Sequence, residues 1–181
     1  MIPAAKKVTD KRRVIGIAAM IVSNDPSDYL VTYGLGSCLG ITLYDPMAKV
    51  GGLLHIMLPV SKLQVEDAKL RPLRYVETGV PMLFKACYAL GAEKSRIVVR
   101  VAGGASVQMT DGDSVLQIGK RNTIALKRML MKNRVLISAI DVGGAKSRTL
   151  SMQIGTGRVD IVAQGEQYEL KKSASRVAGG M

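Results

Sequence analysis

The sequence predicts an α+β fold: a mostly antiparallel β-sandwich with about two helices packed outside. Three observations lead there. Short runs rich in Val, Ile, Leu and Thr recur between Gly, Pro and Asn/Asp turn signals. Only two stretches, 75–90 and 119–134, read as helices. The strand runs gather before and after each helix instead of alternating with it, which disfavours a doubly wound parallel sheet.

In chain order, 14–22 reads as a first strand, closed by the turn residues Ser23, Asn24, Asp25 and Pro26. A second strand near 29–33 enters the Gly-rich loop 34–37. A third spans 38–44 ("CLGITLY"), Asp45-Pro46 turns, and a fourth spans 51–58 ("GGLLHIML") up to Pro59. Residues 61–74 are polar and basic and read as a loop. The helix at 75–90 ends at Gly91 and carries Pro81 within its pattern. Strand 96–102 leads into Gly103-Gly104. The second helix, 119–134, takes Asn122-Thr123 as its cap. Strand 135–141 ends at Gly143-Gly144, and 148–154 with 157–163 form a hairpin across "IGTG". One domain is expected over 14–170, with a basic arm at 1–13 and a flexible basic tail at 171–181.

With no Trp and one Phe, the core must be built from Val, Ile, Leu, Met and Ala. Two cysteines, Cys38 and Cys87, are too few for a disulfide framework and point to a reducing, cytoplasmic setting. The net charge is +12, and ten of those charges come from 1–13 and 120–134. Such a surface attracts acidic partners. Nucleic acid is disfavoured, because no aromatic residues interleave with the basic ones to stack on bases. The basic cluster before 14–22 resembles a secretory leader. However, turn residues follow where a small-residue cleavage site belongs, and a first strand suits the run better. No apolar run reaches the ~20 residues of a membrane helix, so direct insertion is not expected.

The chemistry rests on the stretch "TYGLGSCLGITLYDPMAKVGGLLHIMLP", 32–59, which holds Cys38 and the single histidine, His55. Cys87 shares a helical face with Leu83 and Leu90 and reads as a small core residue. Cys38 follows "GLGS", where glycines admit unusual backbone angles and where backbone N–H groups of the loop, Gly36 and Ser37, can face the sulfur or a later oxyanion. Strand alternation puts His55 on the face of Leu53 and Met57. Taken alone, it reads as a core imidazole bonded to a carbonyl. If the strands flanking Asp45-Pro46 pair as a hairpin, Cys38 and His55 lie near its far end. That is compatible with a thiol–imidazole pair in which Thr32 orients the ring. Zinc is disfavoured, since one His and two distant Cys make no ligand set. "GLGSCLG" lacks the Lys-Ser/Thr ending of a phosphate loop, and no cofactor is called for.

These residues resemble the signature of the chemoreceptor glutamine deamidases, the CheD family. The likeness lies in Thr32, Gly36-Ser37-Cys38, Asp45-Pro46, Gly51-Gly52, His55 and Leu58-Pro59. It continues in "AGGA" at 102–105, "IGKRN" at 118–122, "DVGG" at 141–144 with Arg148, and "TG" at 156–157. It covers roughly 14–165 and leaves the basic arm outside. The resemblance implies an α+β sandwich with a site layout like that of bacterial toxin deamidases. It implies hydrolysis of glutamine side-chain amides on methyl-accepting chemotaxis receptors, through a thioester on Cys38 with His55 as base and Thr32 as its orienter. It also implies a CheC-type phosphatase as a partner. A cysteine protease or transglutaminase would use the same dyad. A binding module that regulates the phosphatase, with little catalysis, is the alternative from another class.

Overall fold

The computed structural model describes residues 11–60, 65–106 and 117–171. Two five-stranded sheets face each other. One has the order β1-β3-β8-β9-β10, from β1 (Lys11–Ile15), β3 (Asp28–Leu35), β8 (Arg148–Gln153), β9 (Val159–Ala163) and β10 (Glu166–Glu169). The other has the order β2-β5-β4-β6-β7, from β2 (Ala19–Ser23), β5 (Val50–Ile56), β4 (Leu39–Asp45), β6 (Val98–Gly103) and β7 (Ile137–Val142). All pairs are antiparallel except β1–β3 and β6–β7. Helices α2 (Val76–Ala89) and α3 (Ile118–Lys132) cover the outer face of the second sheet.

Strand alternation sorts the second sheet's side chains into two cores. Leu39, Ile41 and Leu43 of β4, with Leu54 and Ile56 of β5, pack under α2 and α3 against Leu83, Cys87 and Leu126. Tyr44 and Leu53 point the other way, into the space between the sheets, with Leu30, Leu35, Leu150 and Met152. The β4–β5 turn is set by Asp45. Its carboxylate accepts from the N–H groups of Met47 (2.9 Å) and Ala48 (3.1 Å) and from the Arg96 guanidinium at 3.0 Å. Buried against that guanidinium, the carboxyl is held far below the usual carboxylate range.

Several expectations are corrected. The run 14–22 is two strands on different sheets. Gly16 and Ala18, the latter at φ 55°, turn the chain from one sheet to the other. β1 takes in Lys11, Arg12 and Arg13, three residues of the expected arm. Arg13 pairs with Asp28 at 2.9 Å, and Arg12 lies over the Tyr29 ring. The stretch read as a loop at 61–74 contains a short helix, α1 (Val65–Leu70), and a 3₁₀ turn at Pro72–Arg74, so three α-helices are present among the described residues. Asp67 organises this segment by bonding Arg71, Arg74 and the Tyr75 hydroxyl. Leu90 lies past the end of α2 and is exposed, so the apolar face of Cys87 rests on Leu83. Asn122 is not a cap, because α3 begins at Ile118 and buries it. Residues 1–10 of the arm and 172–181 of the tail lie outside the described residues.

Candidate active site

The β4–β5 ladder fixes where Cys38 lies relative to His55; among the described residues no hydrogen bond joins the two side chains. Its register pairs Leu39 with Ile56 and Gly40 with His55. Cys38 therefore stands one residue beyond the ladder, and period-two alternation puts Cys38, Gly40 and His55 on the same inner face. Gly40 lets the opposite sheet pack close against this face. A Cβ there would come within 2.7 Å of side-chain carbons of Leu35 and Leu150. The loop before Cys38 is held from the end of β6. Gly104 N–H donates to the Cys38 carbonyl and Ala105 N–H to the Gly36 carbonyl, both at 2.8 Å. Gly103 sits at φ 111°, where a Cβ would overlap the carbonyl oxygen of Cys38, so only glycine fits. Gly36 N–H is committed to the Gly34 carbonyl at 2.8 Å.

His55 is wholly buried between the sheets. Its Nδ1 lies 2.8 Å from Oγ1 of Thr32, which belongs to β3 of the opposite sheet. Thr32 is also wholly buried, and its hydroxyl donates to the Ile15 carbonyl at 3.1 Å. A hydroxyl has one proton, and the carbonyl can only accept. Thr32 therefore accepts from Nδ1–H, and the imidazole is the tautomer with its lone pair on Nε2. That Nε2 is buried and has no hydrogen-bond partner among the described residues. Burial holds the imidazole down at about 4, so it is neutral near pH 7. Burial also pushes the half-buried Cys38 thiol up, against the lowering effect of its own backbone N–H. Burial thus favours the neutral form of both the Cys38 thiol and the His55 imidazole near pH 7.

A family model described as CheD chemotactic sensory transduction matches residues 57–163. A protein of Syntrophus aciditrophicus named "Probable chemoreceptor glutamine deamidase CheD" is 47% identical over 152 residues, 84% of this chain and 94% of that protein. The chain belongs to the CheD family. A CheD of Solibacter usitatus is 40% identical over 92% of this chain and 97% of its own length, and one of Anaeromyxobacter dehalogenans is 42% identical over 81% and 91%.

The sequence-predicted residues Thr32, Cys38 and His55 of this CheD-family chain converge at one end of the space between the sheets, with Ser37 and Gly36 in the loop beside them. Cys87 lies apart, on the buried face of α2, and its thiol is pushed up to about 12 by burial. Two participants were not read as part of the site. The Ile15 carbonyl, which decides the tautomer, is a backbone atom that carries no sequence signal. Asn122 of α3 donates Nδ2 protons to the carbonyls of Ser37 (3.0 Å) and Met57 (3.1 Å). Its signal was the "IGKRN" stretch, which a helix-cap reading absorbed. Among the described residues, no helix is long and apolar enough to cross a membrane.

Proposed function

We propose that this protein is a cysteine-dependent protein-glutamine deamidase acting on chemoreceptors, as the names of its relatives indicate for them. One observation carries the reading: Thr32 and Ile15 leave the only histidine with a bare, unpartnered Nε2 on the face shared with Cys38. The chemistry follows from that arrangement. As a glutamine side chain enters, Nε2 of His55 takes the Cys38 proton and Sγ attacks the amide carbon. The oxyanion that forms is met by the backbone N–H of Cys38 and that of Ser37, while Gly36 N–H stays in its own turn. The imidazolium then gives its proton to the departing nitrogen. Ammonia leaves and a thioester remains. Water, deprotonated by the same Nε2, attacks the thioester; glutamate is released and Sγ recovers its proton. Thr32 holds the ring by Nδ1 throughout and stabilises the imidazolium through the same bond.

A neutral resting pair suits this cycle. The proton passes from Sγ to Nε2 only as Sγ forms its bond to an electrophile, so little free thiolate stands at rest. The place of action is the cytoplasm, beside the receptor's signalling region. A CheC-type phosphatase is the second partner. The exposed basic face of α3 is available for such acidic protein surfaces.

Mass spectrometry of a receptor cytoplasmic fragment, incubated with wild type and with Cys38→Ala, tests the reading. The expected result is a gain of about one mass unit at defined glutamines, with ammonia released, for wild type alone, because the nucleophile is indispensable. Unchanged receptors with both proteins would replace the deamidase with a module that binds the phosphatase.

A further inference from the structure

The β4–β5 ladder stops one residue short of the dyad. Beyond Leu39↔Ile56 the two backbones part. On the β5 side, the N–H groups of Met57 and Leu58 turn to the Arg74 carbonyl at 3.1 and 2.9 Å. On the β4 side, the Cys38 and Gly36 carbonyls turn to Gly104 and Ala105. Cys38 is therefore set by a chain that is leaving the sheet in one direction. Met57, two residues after His55, leaves in the other. One side chain spans the fork: the amide of Asn122, whose Nδ2 reaches the Ser37 carbonyl at 3.0 Å and the Met57 carbonyl at 3.1 Å.

Asn122 fits this place for reasons of donor count. Bridging two carbonyls needs two protons on one short, uncharged side chain, and Asn supplies them. Asp has none to give when ionised, and Gln is a methylene too long. The approach of α3 is prepared by Gly119, where a Cβ would come within 2.5 Å of the Gly104 carbonyl. The first turn of α3 thus rests on the same loop that holds Cys38. Asn122 is wholly buried, yet its Oδ1 has no partner among the described residues. A side chain kept only for packing would not leave a buried acceptor unpaired.

We propose that Asn122 is a positioning residue: it replaces the missing rung of the β4–β5 ladder and so fixes the distance between Cys38 Sγ and His55 Nε2. The inference rests on the reading of Cys38 and His55 as the reacting pair. Asn122 itself touches neither reacting atom and acts through the backbone on either side of them.

Asn122→Leu tests it, since Leu keeps the branched shape of the side chain, removes the unpaired Oδ1 and takes both donors from the Ser37 and Met57 carbonyls. Four quantities are compared for wild type, Asn122→Leu, His55→Gln and Leu126→Ala. They are kcat and KM on a receptor fragment, the iodoacetamide reaction rate of Cys38 from pH 5 to 10, and Tm. Leu126 is wholly buried one turn further along α3 and serves as a control for instability alone. The expected result for Asn122→Leu is a fall in kcat of about a hundredfold with KM nearly unchanged, the size of loss that an ångström of misplacement produces. Its alkylation profile should shift from one that depends on His55 at neutral pH to that of His55→Gln. Leu126→Ala should lose Tm and keep the wild-type profile. A folded Asn122→Leu with wild-type kcat and profile overturns the proposal, and so does a Leu126→Ala variant whose profile moves as far. A wild-type profile identical to that of His55→Gln would sink the dyad reading itself, which separates the two failures. Should Asn122→Leu not fold, Asn122→Ser, which keeps a single shorter donor, carries the same expectation and the same refutation.

Discussion

His55 is the only histidine, so its titration can be read directly in the stability of the fold. Burial between the sheets holds it down at about 4, against the ordinary 6.5 it regains when the chain unfolds. The unfolded chain therefore binds a proton below pH 6.5 that the native chain refuses until about pH 4. Stability is full above that window and falls as pH drops through it. With these two values, the native state loses about 2 kcal/mol between pH 7.5 and pH 5, and about 3 kcal/mol by pH 4. Urea unfolding at pH 7.5, 6, 5 and 4 measures this for wild type and for His55→Gln. Carboxylates held low by their partners, such as Asp67 and Asp141, add their own losses in acid. These are common to both proteins and cancel in the difference. The wild-type curve should fall toward the variant's as pH drops, with the gap closing by the amounts above. A gap that stays constant from pH 7.5 to 4 would mean that His55 is protonated, or solvated, in the native state. The neutral-pair mechanism would fall with it.

Other expectations follow from the same geometry. Thr32→Val leaves Nδ1–H and the Ile15 carbonyl unpaired; it should cost about 1–3 kcal/mol in urea unfolding and lower kcat without raising KM, with Thr32→Ser restoring both. In native protein at neutral pH, iodoacetamide followed by peptide mapping should label Cys38 and spare Cys87, while in urea both react; labelling of Cys87 in the native state would contradict its place on the buried face of α2. Gly103→Ala forces a Cβ against the Cys38 carbonyl at a left-handed φ and should lose activity with a marked fall in Tm, whereas Gly91→Ala, with open space around it, should lower Tm less and leave kcat intact. The six cations between 120 and 134 have no ion-pair partner among the described residues, and Arg121 and Arg128 edge a cavity of about 570 Å³ between α2 and α3. Receptor binding should weaken as salt is raised and weaken further in Arg121→Glu/Arg128→Glu, read by titration calorimetry; affinity constant across salt would remove the electrostatic account.

What the sequence made legible was whatever depends on local pattern. Alternation placed His55 with Leu53 on the inner face, and the Asp45-Pro46 turn foretold the hairpin that brings Cys38 beside it. Glycine and proline punctuation located most strand ends within a residue or two. The failures share a cause. The run 14–22 has uniform strand propensity, and what divides it is a change of sheet at Gly16–Ala18, a tertiary event. The helix at 65–70 is short and polar, and is held by the Asp67 bonds to Arg71, Arg74 and Tyr75, not by an apolar stripe. Asn122 looked like a cap because Asn usually is one. Its two acceptors lie 85 and 65 residues away, where no local pattern reaches.

The division of the site between two sheets also governs when the enzyme is born. Thr32 and Ile15 sit on strands β3 and β1, and β3 is clamped from its other side by β8, which begins only at Arg148. A nascent chain carries Cys38 and His55 out of the ribosome long before β8 has been made. Without that strand the sheet bearing Thr32 lacks its central partner, and with it the support for the bond that sets the His55 tautomer. On the proposed mechanism, the tautomer that readies His55 for Cys38 therefore depends on a contact that the last third of the chain completes.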